Sequence, residues 1–271
     1  LHLPFSLLAL AVPVPSALRG AIGATGSYDL SGAGPLLTTE LALEQARFGD
    51  QELRLERRAV VLSSKGLELD LALRSVDAAE ALQVRGTVPL SLRDALDLEL
   101  ESHGDALSFL AAPAGDALRL TRGSSDLRLL LSGYLDQPQA NGFLVIRDGA
   151  FTAADQTLKQ VNASLLFDFN RVEVSQLEAT LASGGTISAE GAIGLFIPRD
   201  EETPLTIRLT KGTIRQEMVD LAADADITVR GALSQPAISG QLNLRNGVIQ
   251  PRSGLLLSLI HISEPTRQAS I

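Results

Sequence analysis

The sequence repeats itself with a period of about 100 residues, and this repeat restricts the chain to an array of similar units. Residues 131–151 align without a gap on residues 229–249, which lie 98 positions later. Within this alignment Gly133 falls on Gly231. We expect the two segments to occupy equivalent places in one fold, as in proteins built from stacked repeats.

Weaker copies extend the repeat towards the start of the chain. Residues 41–48 resemble residues 144–151, at an offset of 103 positions. Residues 85–90 resemble residues 190–195, at an offset of 105 positions. The unit therefore recurs across nearly the whole chain.

Each unit consists mainly of strand patterns, in which apolar and polar residues alternate. Residues 184–195, 205–209 and 225–233 alternate in this way, which is typical of strands with one buried face. The Asp-Gly pair at 148–149 and the Asn-Gly pair at 246–247 lie between apolar runs, and such pairs predict tight hairpin turns. Two Ala- and Leu-rich segments, 105–118 and 216–225, are predicted to be short helices or loops.

Strands of this kind need a cover for their apolar face. The repeat offers no separate set of partner strands for a second sheet, and the two helical segments are too few to cover the strands. We therefore predict a mainly-β chain, an elongated and twisted antiparallel sheet that curls into an open groove, with one or two short helices. The apolar positions of these strands are the candidate lining of the groove. They are Leu129, Leu131, Ala163, Leu165, Phe167, Ile187, Ala189, Ile193, Leu205, Ile207, Leu209, Ile227, Val229, Leu242 and Leu244.

Composition excludes several classes of function. Lys and Arg total 23 against 32 Asp and Glu, so the formal net charge is −9, and binding to nucleic acid is not expected. The chain has no Cys, which excludes disulfides and thiolate chemistry. His103 lies in a loop composition without a second His nearby, and no nucleophile is paired with a base. We expect no cofactor, no metal and no enzymatic activity.

The ends of the chain are expected to differ from the rest. The chain starts with Leu, and Met218 is its only Met, which indicates a fragment of a longer protein. Residues 258–271 break the pattern and resemble translated sequencing adapter, so we predict a non-native tail. Residues 1–257 form the predicted β-groove, divided roughly into units 1–40, 41–143, 144–241 and an incomplete 242–257.

The repeated motif carries a resemblance to a known family. It reads GxLxxPxxxGxLxLxxGxF/I and resembles the repeats of the TamB family, the inner-membrane component of the translocation and assembly module, with AsmA-like relatives. The first copy consists of Gly133, Leu135, Pro138, Gly142, Leu144, Ile146, Gly149 and Phe151. The second copy consists of Gly231, Leu233, Pro236, Gly240, Leu242, Leu244, Gly247 and Ile249.

The resemblance implies a taco-shaped β-groove that conducts phospholipids between the inner and outer membranes and supports outer-membrane assembly. It implies a periplasmic location in a protein anchored to the inner membrane, or in the plastid envelope for a plastid homologue. The implied partners are phospholipid acyl chains and an Omp85-type outer-membrane barrel. We expect the anchor and the family's C-terminal domain, which contacts the barrel, to have no counterpart in this chain.

One alternative to the conduit stays open at this point. The apolar strand faces could instead fill a closed core, as in a β-sandwich or a β-helix passenger, in a structural or adhesive protein. A β-helix would show a period of 20–30 residues, whereas this chain shows about 100.

Overall fold

A computed structural model describes most of the chain as one sheet. The described residues are 2–8, 18–29, 37–109, 119–153, 156–216, 219–233 and 235–249. The elements in chain order are β1 (His2–Pro4), α1 (Phe5–Leu8), β2 (Leu18–Tyr28), β3 (Leu37–Phe48), β4 (Gln51–Leu62), β5 (Leu67–Ser75), β6 (Leu82–Val88), β7 (Asp97–Ser102), β8 (Arg119–Tyr134), β9 (Gln137–Ala153), β10 (Gln156–Phe169), β11 (Arg171–Leu181), β12 (Thr186–Gly194), β13 (Leu205–Gln216), β14 (Val219–Ala232) and β15 (Gln235–Ile249).

The fifteen strands of the described residues follow one another in sequence order, and each pairs antiparallel with its neighbours along the chain. Such a meander needs only short connections. At about 4.8 Å for each strand the sheet extends for roughly 70 Å. The prediction of a mainly-β chain that forms one elongated antiparallel sheet is confirmed.

The pairing register places apolar side chains on one face of the sheet across many strands. Leu71 pairs with Val84, Val84 with Leu100, and Leu100 with Leu129, so one apolar row crosses β5 to β8. Residues directly opposite in an antiparallel pair point to the same side. We call this side the apolar face and the other side the polar face.

The polar face carries charged side chains that pair across neighbouring strands. Arg85 lies 3.4 Å from Asp70, and Arg128 lies 3.2 Å from Glu99. Such exposed pairs contribute at most about 1 kcal/mol each. They satisfy the charges of the polar face and help to fix the register, since like charges in these positions would repel.

The sheet bends towards its apolar face. Ile193 of β12 and Val229 of β14 belong to one buried cluster, although β13 lies between their strands. Near the start of β13 the two strands approach closely enough for Gly194 to pair with Ala232 in parallel. Register shifts occur in the pairings of β2 with β3, β4 with β5, β8 with β9, β9 with β10, β10 with β11, β11 with β12, β13 with β14 and β14 with β15. Such bulges increase the bend and the twist of a sheet.

The 98-residue offset is visible in the strand pairing. Leu127 pairs with Leu144 in β8 and β9, and Ala225 pairs with Leu242 in β14 and β15. The pairs match position by position, so Leu144 and Leu242 lie on the same face, as the alignment predicts. One unit therefore spans six strands. The boundaries drawn for the individual units stay a prediction.

Two motif glycines explain part of the repeat in physical terms. A Cβ atom on Gly142 would lie 2.0 Å from the carbonyl oxygen of Arg128, and one on Gly240 would lie 2.3 Å from that of Asp226. Real Cβ atoms essentially never approach a backbone oxygen so closely. Glycine at these positions lets the neighbouring strand pass at close range.

The hairpin turn predicted at the Asp-Gly pair 148–149 is wrong. Both residues lie inside β9, where Asp148 adopts a φ of 48° and the register with β10 shifts. The Asn162 side chain accepts a hydrogen bond from the Asp148 amide at 3.1 Å. The pair therefore forms a bulge, because Asp tolerates the left-handed conformation and Gly allows the bend. The Asn-Gly pair 246–247 likewise lies inside β15.

The helix or loop predicted over residues 216–225 is also wrong, because β14 covers most of it. Ala223 and Ala225 are buried while Asp224 and Asp226 lie on the opposite side, so the period is two. Pairing with two neighbouring strands overrides the helical preference of alanine. Of the other predicted segment, 105–118, residues 105–109 form a turn that ends in a short 3₁₀ stretch, and residues 110–118 lie outside the described residues.

The predicted tail, residues 258–271, also lies outside the described residues. The helix that the structure does describe, α1, is four residues long. No described helix has the length and apolarity needed to cross a membrane.

We predict that Gly142→Ala destabilises the protein by roughly 2 to 4 kcal/mol, because the new Cβ would strike the Arg128 carbonyl and Gly142 has a φ of 147°. The measurement is the urea midpoint of unfolding. Gly23→Ala is the matched control, since its Cβ would meet only the flexible end of the Glu44 side chain. Equal losses in the two variants would contradict this account of the motif glycine.

Candidate functional site

The fifteen residues predicted to line a groove all lie on the apolar face. In the middle of the sheet Leu129 and Phe167 both pair with Gly142. The row continues because Phe167 pairs with Val172, and Val172 with Ile193. Strand alternation then places Leu131, Ala163, Leu165 and Ala189 on the same side.

A second row reaches the last strand. Ile187 pairs with Leu209, Leu209 with Ala225, and Ala225 with Leu242. The same alternation places Leu205, Ile207, Ile227, Val229 and Leu244 on this side. The sequence thus identified one continuous surface, whose parts differ in exposure.

The central part of the apolar face is filled by its own side chains. Ile193 is 2% exposed and Val229 is 8% exposed, and both belong to one buried cluster with Val172. Ala163 and Ala189 are buried as well. These four candidates are covered by protein, and for Ile193 and Val229 the cover comes from the bend, which brings β12 and β14 into contact.

The last strand presents the most accessible part of the apolar face. Leu242 is 60% exposed and Leu244 is 51% exposed. Ile238, which pairs with Val229, is also exposed. The remaining candidates are half-buried. They retain apolar surface that a further apolar molecule can cover.

A different arrangement covers the apolar face near the start of the sheet. Phe5 of α1 and Phe109, beyond β7, form a buried cluster with Ala46 and Leu53. The rings of Phe48 and Phe109 meet edge to face, with centroids 6.1 Å apart and planes at 75°. Sequence reasoning missed these two aromatic residues. In a chain with only 4% aromatic residues, each isolated Phe between strand patterns was a usable signal.

Hydrogen bonds hold the turn of residues 103–109, which carries Phe109, against the sheet. The Asp105 carboxylate accepts hydrogen bonds from the backbone amides of Ala79 and Glu80 at 3.0–3.1 Å. The Ser125 amide donates to the Gly104 carbonyl at 2.7 Å. The turn is thereby attached to the connection between β5 and β6 and to β8.

On the polar face, His103 completes this attachment. Its Nδ1 lies 2.9 Å from Oδ1 of Asp126, and Arg147 also contacts the Asp126 carboxylate. The hydrogen bond from His103 has the largest effect on the Asp126 carboxylate, followed by the one from Arg147. Both lower the pKa of Asp126 below its usual 3.8. His103 therefore has a structural partner.

The two long edges of the sheet differ in their exposed apolar side chains. We call the edge formed by the turns after even-numbered strands the even edge, and the opposite one the odd edge. Large exposed apolar residues occur at the even edge. They are Tyr28, Leu90, Leu92, Tyr134, Leu135, Phe169, Ile197 and Leu233. In the turns of the odd edge that the structure describes, no large apolar residue is exposed.

The arrangement is suited to binding apolar chains. Across the described part of the chain, no three His, Asp or Glu side chains converge as metal ligands. The recesses over β10 to β13 are lined mainly by side chains of the polar face, such as Glu178, Ser188 and Arg208.

Comparison with known families returned one match. Residues 173–255 match the family described as the TamB C-terminal domain. The resemblance to the TamB family is therefore confirmed over this part of the chain, which includes most of β11 and all of β12 to β15. The expectation that the family's C-terminal domain has no counterpart here is corrected, since the match is to that domain.

The family is one of transport and assembly modules. No curated protein matched the chain, and no solved structure did.

We predict that Asp126→Asn removes part of the acid sensitivity of the fold. Because folding lowers the pKa of Asp126, its contribution to stability is present above pH 3.8 and is lost as the pH falls through the lowered value. The urea midpoints of the native protein and the variant should therefore differ at neutral pH and converge in acid. A difference that grows below pH 3.8 would contradict the assignment.

Proposed function

We propose that this chain is a section of a hydrophobic groove that spans the periplasm, conducts phospholipids between the inner and outer membranes and supports outer-membrane assembly. The observation that carries the proposal is the apolar face, which continues from strand to strand across the sheet. In the described residues no second sheet and no long helix lies over it. We refer to this face, in the proposed role, as the trough.

The energetics of lipid transfer support this role. Each methylene exposed to water costs about 0.8 kcal/mol, so two chains of about fifteen methylenes would cost on the order of 20 kcal/mol. A surface with half-buried Ile207, Leu209 and Ile227 shields such a chain along its path. The head group can stay in water at the open side, so no charged site is needed to bind it.

The location and the partner are part of the same proposal. We propose a periplasmic location, within a protein anchored to the inner membrane, and the match to a family of that kind supports it. An Omp85-type outer-membrane barrel is the proposed protein partner, and phospholipid acyl chains are the proposed ligands. The net charge of −9 favours a polar outer face in water over adhesion to anionic membrane surfaces.

A structural role with a closed core is the second candidate, because Ile193 and Val229 are buried by protein alone. A β-helix is excluded for the described residues, since their strands pair antiparallel. A β-sandwich would need a second sheet, and the described strands form one. Ile207, Leu209 and Ile227, which lie inside the sheet and stay half-buried, favour the conduit over this candidate.

Site-specific photo-crosslinking tests the conduit. Benzoylphenylalanine at Ile207 or Leu242, on the apolar face, should give phospholipid adducts when the protein is incubated with phosphatidylethanolamine and phosphatidylglycerol vesicles. Arg208 and Gln241 are the matched controls, because they are adjacent residues on the polar face. Equal labelling on the two faces, or none on the apolar face, would refute lipid conduction.

Charge substitutions separate the accessible part of the trough from the filled part. Leu242→Arg should fold normally, because the side chain is 60% exposed, and should reduce lipid adducts at Ile207. Val229→Asp should destabilise the fold by several kcal/mol, because the carboxylate would be buried beside Val172 and Ile193 without a partner. Thermal unfolding measures both effects. Similar unfolding of the two variants would contradict this division.

A further inference from the structure

The aromatic cluster near the start of the sheet covers apolar surface that would otherwise be part of the trough. Phe5 is 7% exposed and Phe109 is 5% exposed. Leu18, Ile22, Leu43, Phe48, Leu73 and Leu82 pack against their cluster. These side chains are on the apolar face of β2, β3, β5 and β6, as their pairing shows. They are half-buried, and an acyl chain could reach the part of their surface under the aromatic rings only by displacing the rings.

The cover lies over one half of these strands. Phe48 ends β3, and Leu73 lies two residues before the end of β5, so both belong to the odd edge. Leu69 lies on the same strand and the same face as Leu73, four residues closer to the even edge. Leu69 pairs with Val60 and Gly86, and it is outside the aromatic cluster.

The turn that carries Phe109 is attached by polar contacts, of which only those of Ser125 with the Gly104 carbonyl come from a residue of the apolar face. Asp105 accepts hydrogen bonds from Ala79 and Glu80, and His103 contacts Asp126 on the polar face. Phe109 is thus held on the trough by its turn, whereas Phe5 reaches the same cluster from α1. Removing that attachment leaves all apolar side chains of the cluster in place.

We propose that Phe109, together with Phe5, is an internal stopper that takes the place of an acyl chain along the odd edge of β2 to β6. The stopper confines lipid chains in this part of the trough to the half nearer the even edge, where Leu69 lies. Its rings shield Leu43, Phe48 and Leu73 from water when no lipid is bound. This inference rests on the proposed lipid function and assigns which part of the trough is open to ligand.

The test maps contact with lipid directly. The protein is incubated with vesicles of phosphatidylcholine that carries a diazirine in one acyl chain, illuminated and digested, and the labelled residues are located by mass spectrometry. In the native protein we expect label at Leu69 and Ile207 and none at Leu73. In Phe109→Ala and in Asp105→Ala, label should appear at Leu73 while Ile207 is labelled as before.

A control variant, Phe143→Ala, and the second variant, Asp105→Ala, make the result interpretable in either direction. Phe143→Ala removes a phenyl ring from the polar face, where Phe143 is 42% exposed, and should leave the labelling pattern unchanged. If Phe109→Ala does not fold, as judged by circular dichroism, Asp105→Ala decides, because it removes no apolar side chain.

Label at Leu73 in the native protein would overturn the stopper, as would its absence in both variants while Leu69 is labelled. If no apolar-face residue is labelled in any variant, the conduit itself is refuted and the stopper with it.

Discussion

The fold depends on the burial of one apolar face by a sheet that has no second layer in the described residues. A flat sheet would leave that face in water at about 25 cal/mol for each Å². Bending is the remaining way to bury it, and the contact between Ile193 and Val229 across an intervening strand is its direct result. Bulges supply the bend, and at Asp148 the side chain of Asn162 accepts the hydrogen bond of the bulged amide. Curvature and burial are therefore two aspects of the same constraint.

The repeated positions include those at which the backbone geometry allows few residue types. Gly86, Gly142 and Gly191 all have positive φ, and a Cβ on any of them would strike a backbone carbonyl oxygen of the neighbouring chain segment. Gly86 and Gly191 are related by the 105-residue offset found in the sequence. Gln45 and Asp148, at the 103-residue offset, both adopt a φ near 48°. Equivalent positions six strands apart therefore adopt the same backbone conformation, and both are occupied by residues that tolerate it.

The sequence was sufficient to predict the sheet and the face of each candidate residue, because strand parity depends only on local alternation. It was insufficient where the local conformation or the exposure of a residue depends on strand pairing or on contacts with residues far away in the sequence. The Asp-Gly pair at 148–149 suits a hairpin turn and a bulge equally well, and only pairing with β10 selects the bulge. Exposure could not be read from parity either, since Val229 and Leu242 share a face but are 8% and 60% exposed. The contact of Phe109 with Phe48 joins residues 61 positions apart, and no local pattern encodes it.

The apolar face is thus covered in two different ways, neither of which uses a second sheet. In the middle, neighbouring strands supply the cover, because Ile193, Val172 and Val229 meet across the bend. Near the start, two aromatic side chains outside the sheet supply it. At β15 the described residues supply none, and Leu242 and Leu244 remain in contact with solvent. Since each half-buried apolar side chain still gains free energy from further burial, an apolar ligand gains most where the described residues leave the apolar face uncovered.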